Sequence, residues 1–205
     1  MRPTRKDTQR QTRDRLIEAA HVSIVEEGVA GMSIRSICSA AGHSQGAFYS
    51  NFDGKDDLLI EVLHSHFQDE VALLRDLVTR CAGYDVDATL EVLAARLATL
   101  ADESRWSLLS IELELYARRS PAFAERHREA KAACYRAFGE LVSDLVQGFG
   151  LRPSLPPMQI GIGLYALWTG LAVQGDVEGA IPRDEMLVGF FRAAVGLDTR
   201  QPVLP

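Results

Sequence analysis

Apolar residues recur along this chain at intervals of three and four, and no segment sustains the two-residue alternation of a half-buried strand. No Asn-Gly or Asp-Gly turn joins β-branched runs either, so the pattern predicts an all-α fold. A first helix over about residues 11–27 sets Leu16, Ala20 and Ile24 four apart, with Ile17 widening the stripe, and ends before Gly28. Ser33 is an expected N-cap for a short helix with Ile34, Ile37 and Ala41 on one face. Gly42 can adopt the left-handed conformation that closes it, and Ser44 can cap the next helix, over about residues 45–51. Two short helices joined by so tight a turn must cross steeply. In the second of them Ala47 and Phe48 are placed to pack inward, Gln45, Gly46, Tyr49 and Ser50 face away, and Phe52 follows as a core anchor.

After Asp53-Gly54 a long helix is predicted over about residues 55–81, with Leu59, Leu63, Phe67, Val71, Leu74, Val78 and Cys81 on its buried stripe. At 1.5 Å per residue it is roughly 40 Å long, enough to join a head to a body. Four more helices follow, over about residues 87–101, 103–118, 121–148 and 157–177, with Pro121 at a first helical position, then a last one over about 182–195. The tail from Thr199 is expected to fray. Nine helices result, three short and then six mostly longer, with no internal repeat.

The length, 205 residues, suits one domain or two small ones, and 47% hydrophobic with 24% charged residues is an ordinary globular composition. Three cysteines, Cys38, Cys81 and Cys134, lie tens of residues apart and form neither a disulfide framework nor a paired zinc site, so a reducing, cytoplasmic setting is expected. The polar, basic start leads to the expectation of no secretory signal, and the longest apolar run, Ile160 to Val173, falls short of a membrane span. The net charge of −6 hides an asymmetry: residues 1–15 carry +4, residues 1–55 carry +2 and the remainder −8. A basic head on an acidic body points to a head that meets a polyanion; a solvated arginine-rich tail is the other reading of the charge alone.

The tract SIRSICSAAGHSQGAFYSNFDGK at 33–55 has the layout of a helix-turn-helix, with a supporting helix, a glycine-containing turn and a recognition helix. Together with TRDRLIEAA at 12–20, Gly28 and DDLL at 56–59, it strongly resembles the N-terminal domain of the tetracycline-repressor (TetR) family of transcriptional regulators. LWTGLAVQ at 167–174 looks like the helix these proteins use near their dimer interface. The specific resemblance covers roughly the first 60 residues. It implies a basic arm and DNA-binding domain over 1–54 and a helical effector-binding and dimerisation domain over 55–205. It implies a homodimer whose recognition helices enter successive major grooves of a pseudo-palindromic operator, and a small molecule that releases the DNA.

Within that motif Gln45 can pair with adenine N6 and N7, where many family members carry Lys or Arg. Gly46 lets the backbone approach base edges, and Ala47, where exposed, can touch a thymine methyl. Tyr49 is expected on a phosphate or sugar, and Ser50 and Asn51 are short donors for phosphate oxygens. Lys55 and the free N–H groups of its helix are expected to grip a phosphate, and Ser33 and Ser44 to present hydroxyls and capped N-termini. The segment from Arg2 to Arg10 reads either as a minor-groove arm or as a chain without specific contact. His43 is either a cover for the turn or a phosphate donor.

For an effector cavity the aromatic and leucine positions Phe67, Trp106, Leu109, Leu113, Tyr116, Tyr135, Tyr165 and Trp168 are candidates. They favour an apolar or aromatic ligand, with Glu112, Glu114 or Arg118 as polar anchors. For the dimer interface the low-profile face of Gly163, Leu167, Gly170, Leu171 and Gly175 is set against Met186, Leu187, Phe190, Phe191 and Ala194.

Enzyme readings have little to stand on. Glu18/His21 and Glu61/His64 reproduce the Glu-x-x-His spacing of di-iron bundles, but one copy falls in the apparent head and the two further glutamates are not evident. GIGLYA at 161–166 fits a loose dinucleotide fingerprint without the strand it requires, so close helix packing accounts better for its glycines. GxSxG, Walker A and HExxH are absent, and no catalytic, metal or cofactor role is assigned. The competing readings are a helical-bundle metal or cofactor enzyme, and a sensor whose head no longer binds DNA.

Overall fold

A computed structural model describes residues 4–102, 104–174, 179 and 181–197. Among them run nine helices and no strand: α1 (Arg5–Gly31), α2 (Ile34–Ala41), α3 (Gln45–Tyr49), α4 (Lys55–Arg80), α5 (Val86–Asp102), α6 (Ser104–Arg119), α7 (Pro121–Gly148), α8 (Pro157–Gln174) and α9 (Arg183–Ala194). None is long and apolar enough to cross a membrane. The expected continuation of α8 past residue 174, the start of α6 at 103, the arginine at position 2, Gly175 and the tail from 199 lie outside the described residues.

The chain forms two units. The first comprises residues 1–68 and 108–130, the second 69–107 and 131–205, so α4, α6 and α7 contribute to both. The first unit therefore takes in more than a three-helix head.

In the first unit α1, α2 and α3 pack on one another. Leu16, Ala20 and Ile24 of α1, Ile37 of α2, Phe48 of α3, then Phe52, Leu58 and Leu59 are almost completely buried. Each large side chain among them contributes about 1.5–3 kcal/mol over its exposed state. From Arg5 onward the basic N-terminal stretch is helical rather than an extended arm. Thr4 caps α1 through its side chain, which accepts from the Asp7 N–H, while Asp7 accepts the Thr4 N–H at 2.9 Å. α1 bends at Gly28, where φ is 71° and ψ 167°, a region essentially reserved for glycine. The helix end expected before Gly28 is thus a kink, and helical turns resume to Gly31.

In the second unit α5, α8 and α9 pack mutually around Leu74, Leu90, Leu141, Ile160 and Phe191. Gly139 and Gly161 let α7 and α8 approach at backbone contact: a Cβ on Gly161 would lie 3.0 Å from the Gly139 nitrogen. The GIGLYA glycines thus sit inside a helix and serve close packing.

Candidate nucleic-acid interface

The helix-turn-helix is built by three local devices. Ser33 starts α2 with a capping box, its hydroxyl accepting from the Ser36 N–H at 3.1 Å and the Ser36 hydroxyl accepting from the Ser33 N–H at 3.0 Å. Gly42 ends α2 in the left-handed conformation, φ 69° and ψ 32°. Ser44 starts α3, its hydroxyl accepting from the Ala47 N–H at 3.1 Å. The recognition helix is anchored in the core by Phe48, which is fully buried with its ring 5.5 Å from that of Phe52. Rotation by one residue puts Tyr49 outward, 59% exposed. Ser33, Ser44, Gln45, Gly46 and Ser50 are also exposed, while Ala47 and Asn51 are half-buried.

Several donors expected to reach phosphate are already engaged. The Ser50 hydroxyl donates to the Gly46 carbonyl at 2.9 Å, and the Asn51 amide donates to the Ala47 carbonyl at 2.8 Å, so both tighten the last turn of α3. Lys55 departs furthest from the expectation of a phosphate grip. Its ammonium donates to the carbonyls of Val29, at 2.6 Å, and Met32, at 2.9 Å. α1 ends at Gly31, which leaves its last carbonyls without intrahelical partners, and Lys55 supplies donors to two of them. Burial pulls its pKa below the ordinary lysine value, against the opposing pull of Asp56.

Around this lysine the first unit is stitched by side chains of α6 and α7. Glu112 accepts the Val29 N–H at 2.9 Å and fills the space beside Gly28, where a Cβ would come within 2.8 Å of its carboxylate. The Tyr116 hydroxyl donates to Asp56 at 2.9 Å, and burial followed by that carboxylate pushes its pKa up. Arg126 donates to Asp57 at 2.6 Å. Asp56 and Asp57 occupy the first turn of α4, where a helix favours negative charge.

The candidates for a ligand cavity do not form one ring. Phe67, Leu109, Leu113 and Tyr116 belong to the first unit, the first three as buried core. Glu112 and Glu114 are engaged there as well, Glu114 beside Arg118 at 3.6 Å. The Trp106 side chain lies outside the described residues. In the second unit, Tyr165 and Trp168 line a cavity of about 60 Å³ with Leu93, Phe138, Leu187 and Phe191, and Tyr135 packs edge-on against Tyr165. The Trp168 N–H donates to the Leu97 carbonyl at 2.7 Å, so the wall is apolar.

The dimer-face expectation also needs correction. Leu187, Phe191 and Ala194 are buried within the second unit, because α9 turns that stripe onto α5. Phe190 covers Gly163, while Leu167, Gly170, Leu171 and Met186 are half-buried. Among the described residues of the expected face only Phe190 is exposed, and the other large exposed apolar positions on α8 and α9 are Met158, Ile162 and Val173.

Residues 16–62 match the family described as bacterial regulatory proteins, tetR family, and residues 86–195 match the C-terminal domain of BetI-type transcriptional repressors. The second match alone spans more than half of the chain. The chain belongs to the TetR family of bacterial regulatory proteins. A curated relative, the HTH-type transcriptional repressor KstR2 of Rhodococcus jostii (strain RHA1), is 33% identical over 81 residues, which are 40% of this chain and 39% of that protein. The chain thus matches about two fifths of that relative's length. Among solved structures, a Rhodococcus sp. protein assigned to the TetR family superposes with a TM-score of 0.70 at 22% identity, covering 91% of this chain and 99% of that one. The transcriptional regulator FadR of Bacillus subtilis, solved in complex with stearoyl-CoA, gives 0.64 at 15% identity, covering 91% and 99%. These likenesses show the fold. In TetR terms, α2 and α3 are the helix-turn-helix.

Two contributors to the TetR head escaped the sequence reading, Glu112 and Arg13. Glu112 is 84 residues from the glycine it covers, and nothing local announces that pairing. Arg13 was counted as surface charge, although its position three residues before Leu16 and seven before Ala20 puts it on the buried stripe of α1. That register was the available signal.

Proposed function

We propose that the protein is a ligand-responsive repressor that binds a pseudo-palindromic operator as a homodimer and leaves it when a small apolar or aromatic molecule binds. The observation that carries this reading is the pose of α3, with Phe48 anchored and Gln45, Gly46 and Tyr49 presented to solvent from a helix capped at Ser44. In this reading Gln45 reads a base and Tyr49 meets the backbone. Lys55 holds the head together and touches no phosphate. The exposed side chains of Ile162, Val173 and Phe190 suit a face buried against a second copy.

The second unit's cavity supports the effector class. Its lining is hydrocarbon, and the Bacillus subtilis FadR structure is a complex with stearoyl-CoA. A volume of about 60 Å³ admits only a small group, so a larger effector must displace leucine side chains. That displacement is the means by which binding would reach the rest of the chain. Selection of duplexes from a random pool by the purified protein tests the DNA claim: a pseudo-palindromic winner is expected, and Gln45→Ala should relax preference at one base pair per half-site. Failure to enrich any sequence would defeat the reading. Because linkage is reciprocal, an inducer must bind less tightly to the operator-bound protein than to the free protein.

A further inference from the structure

The recognition helix has five residues, too few to hold itself, and the carbonyls at its exit have no intrahelical partners. Two side chains of α1 meet those carbonyls. Arg13 donates from Nη1 to the Asn51 carbonyl at 2.7 Å, and Gln9 reaches the Ser50 carbonyl at 3.4 Å. The guanidinium is itself held on two further sides. Its Nη2 lies 2.8 Å from Glu61 of α4, and its carbon sits 4.5 Å over the Phe52 ring. A planar fork engaged on a carbonyl, a carboxylate and an aromatic face has one orientation, and a lysine cannot reproduce it. Positive charge at a helix C-terminus is also favourable.

We infer that Arg13, aligned by Glu61, is a positioning residue for operator recognition: it fixes the angle at which α3 leaves the head and makes no contact with DNA. This rests on the regulator reading. Sequence charge alone assigns the opposite role, because Arg13 belongs to the +4 segment that would meet phosphate. The two roles differ in their salt dependence and in the sign of the Glu61 effect.

The test uses the full chain and a duplex enriched from a random pool by the unaltered protein. If no duplex can be enriched, the regulator reading fails before any variant is made. Given one, Arg13→Ala should weaken binding about tenfold or more, as loss of a charge-assisted hydrogen bond does. The slope of log K against log salt should stay unchanged, because no phosphate contact is lost. Arg13→Lys should be nearly as weak as Arg13→Ala. Glu61→Gln should also weaken binding, although removing a negative charge from the head would strengthen a purely electrostatic attraction. Amide exchange guards against general unfolding: Asn51 and Phe52, whose N–H groups bond to the Phe48 carbonyl, should exchange faster while α2 keeps its protection. A slope reduced by about one with rescue by lysine, tighter binding of Glu61→Gln, or protection lost equally across the head would each overturn the proposal.

Discussion

The two units are held together by different physics. In the first, charged side chains reach the backbone where helices bend or end: Glu112 at the Gly28 kink, Lys55 at the end of α1, Arg13 at the exit of α3. In the second, the interior is mainly leucine and aromatic surface with room for a small group; Arg75 with Glu140 and Arg192 with Asp87 pair toward the periphery, and Arg96 with Glu70 is a half-buried pair. A hydrogen bond specifies an angle, whereas apolar burial specifies mainly a volume. On the proposed reading, the unit that aims five residues at a duplex is the one with directional contacts at its helix ends, and the unit that yields to a ligand has a largely apolar interior that can be rearranged.

That contrast can be broken first by removing volume. Leu74 is 1% exposed in the second unit's core, and Leu74→Ala should cost about 3 kcal/mol in denaturant unfolding, with little collapse around the new space. A cost below about 1 kcal/mol would mean that this core relaxes freely. Next comes removal of charge at nearly constant shape. Lys55→Met should cost about 2 kcal/mol, because the Val29 and Met32 carbonyls lose their donors while the methylene packing survives. Operator affinity should fall with it, since Lys55 ties the start of α4 to the end of α1, the helix on which α2 and α3 pack. If Lys55→Met were instead neutral in stability but reduced the salt dependence of DNA binding, Lys55 would be a phosphate ligand after all. Smaller still is Glu112→Gln, expected to cost about 1 kcal/mol, because an amide oxygen still accepts the Val29 N–H and only the charge is lost. Unfolding of this variant as costly as that of Glu112→Ala would show that charge, not geometry, matters there.

The same division explains what could be read from the chain beforehand. The helix-turn-helix was legible almost residue by residue, because a cap at Ser33, a left-handed glycine at Gly42, a cap at Ser44 and a core anchor at Phe48 are local events written in adjacent residues. The helices of the second unit were legible as elements from their periodicity, but not in their facing. Both stripes of α9 are apolar, and only the packing against α5 decides that Leu187 and Phe191 turn inward while Phe190 stays out. The engagement of Lys55 was hidden for a related reason. A lysine at a helix N-terminus beside a recognition helix suits phosphate, and the bonds it makes depend on carbonyls left open 26 and 23 residues away where α1 ends.

A titration should separate the units with the mildest perturbation. His66, on the part of α4 that belongs to the first unit, has its pKa pulled down to about 4, by burial first and by neighbouring His21 second. The two rings lie 5.0 Å apart. The folded chain thus keeps His66 neutral between about pH 6.5 and 4, whereas the unfolded chain takes up a proton there. Stability rises with pH wherever the unfolded state binds more protons. The contribution is therefore complete above about pH 6.5 and is lost as the pH falls toward 4. His66→Phe keeps a ring against His21 and cannot titrate, so its urea midpoint should decline less steeply than that of the unaltered chain between pH 7 and 4.5. Near neutral pH the two slopes should coincide. Parallel declines across the whole range would place the acid sensitivity elsewhere.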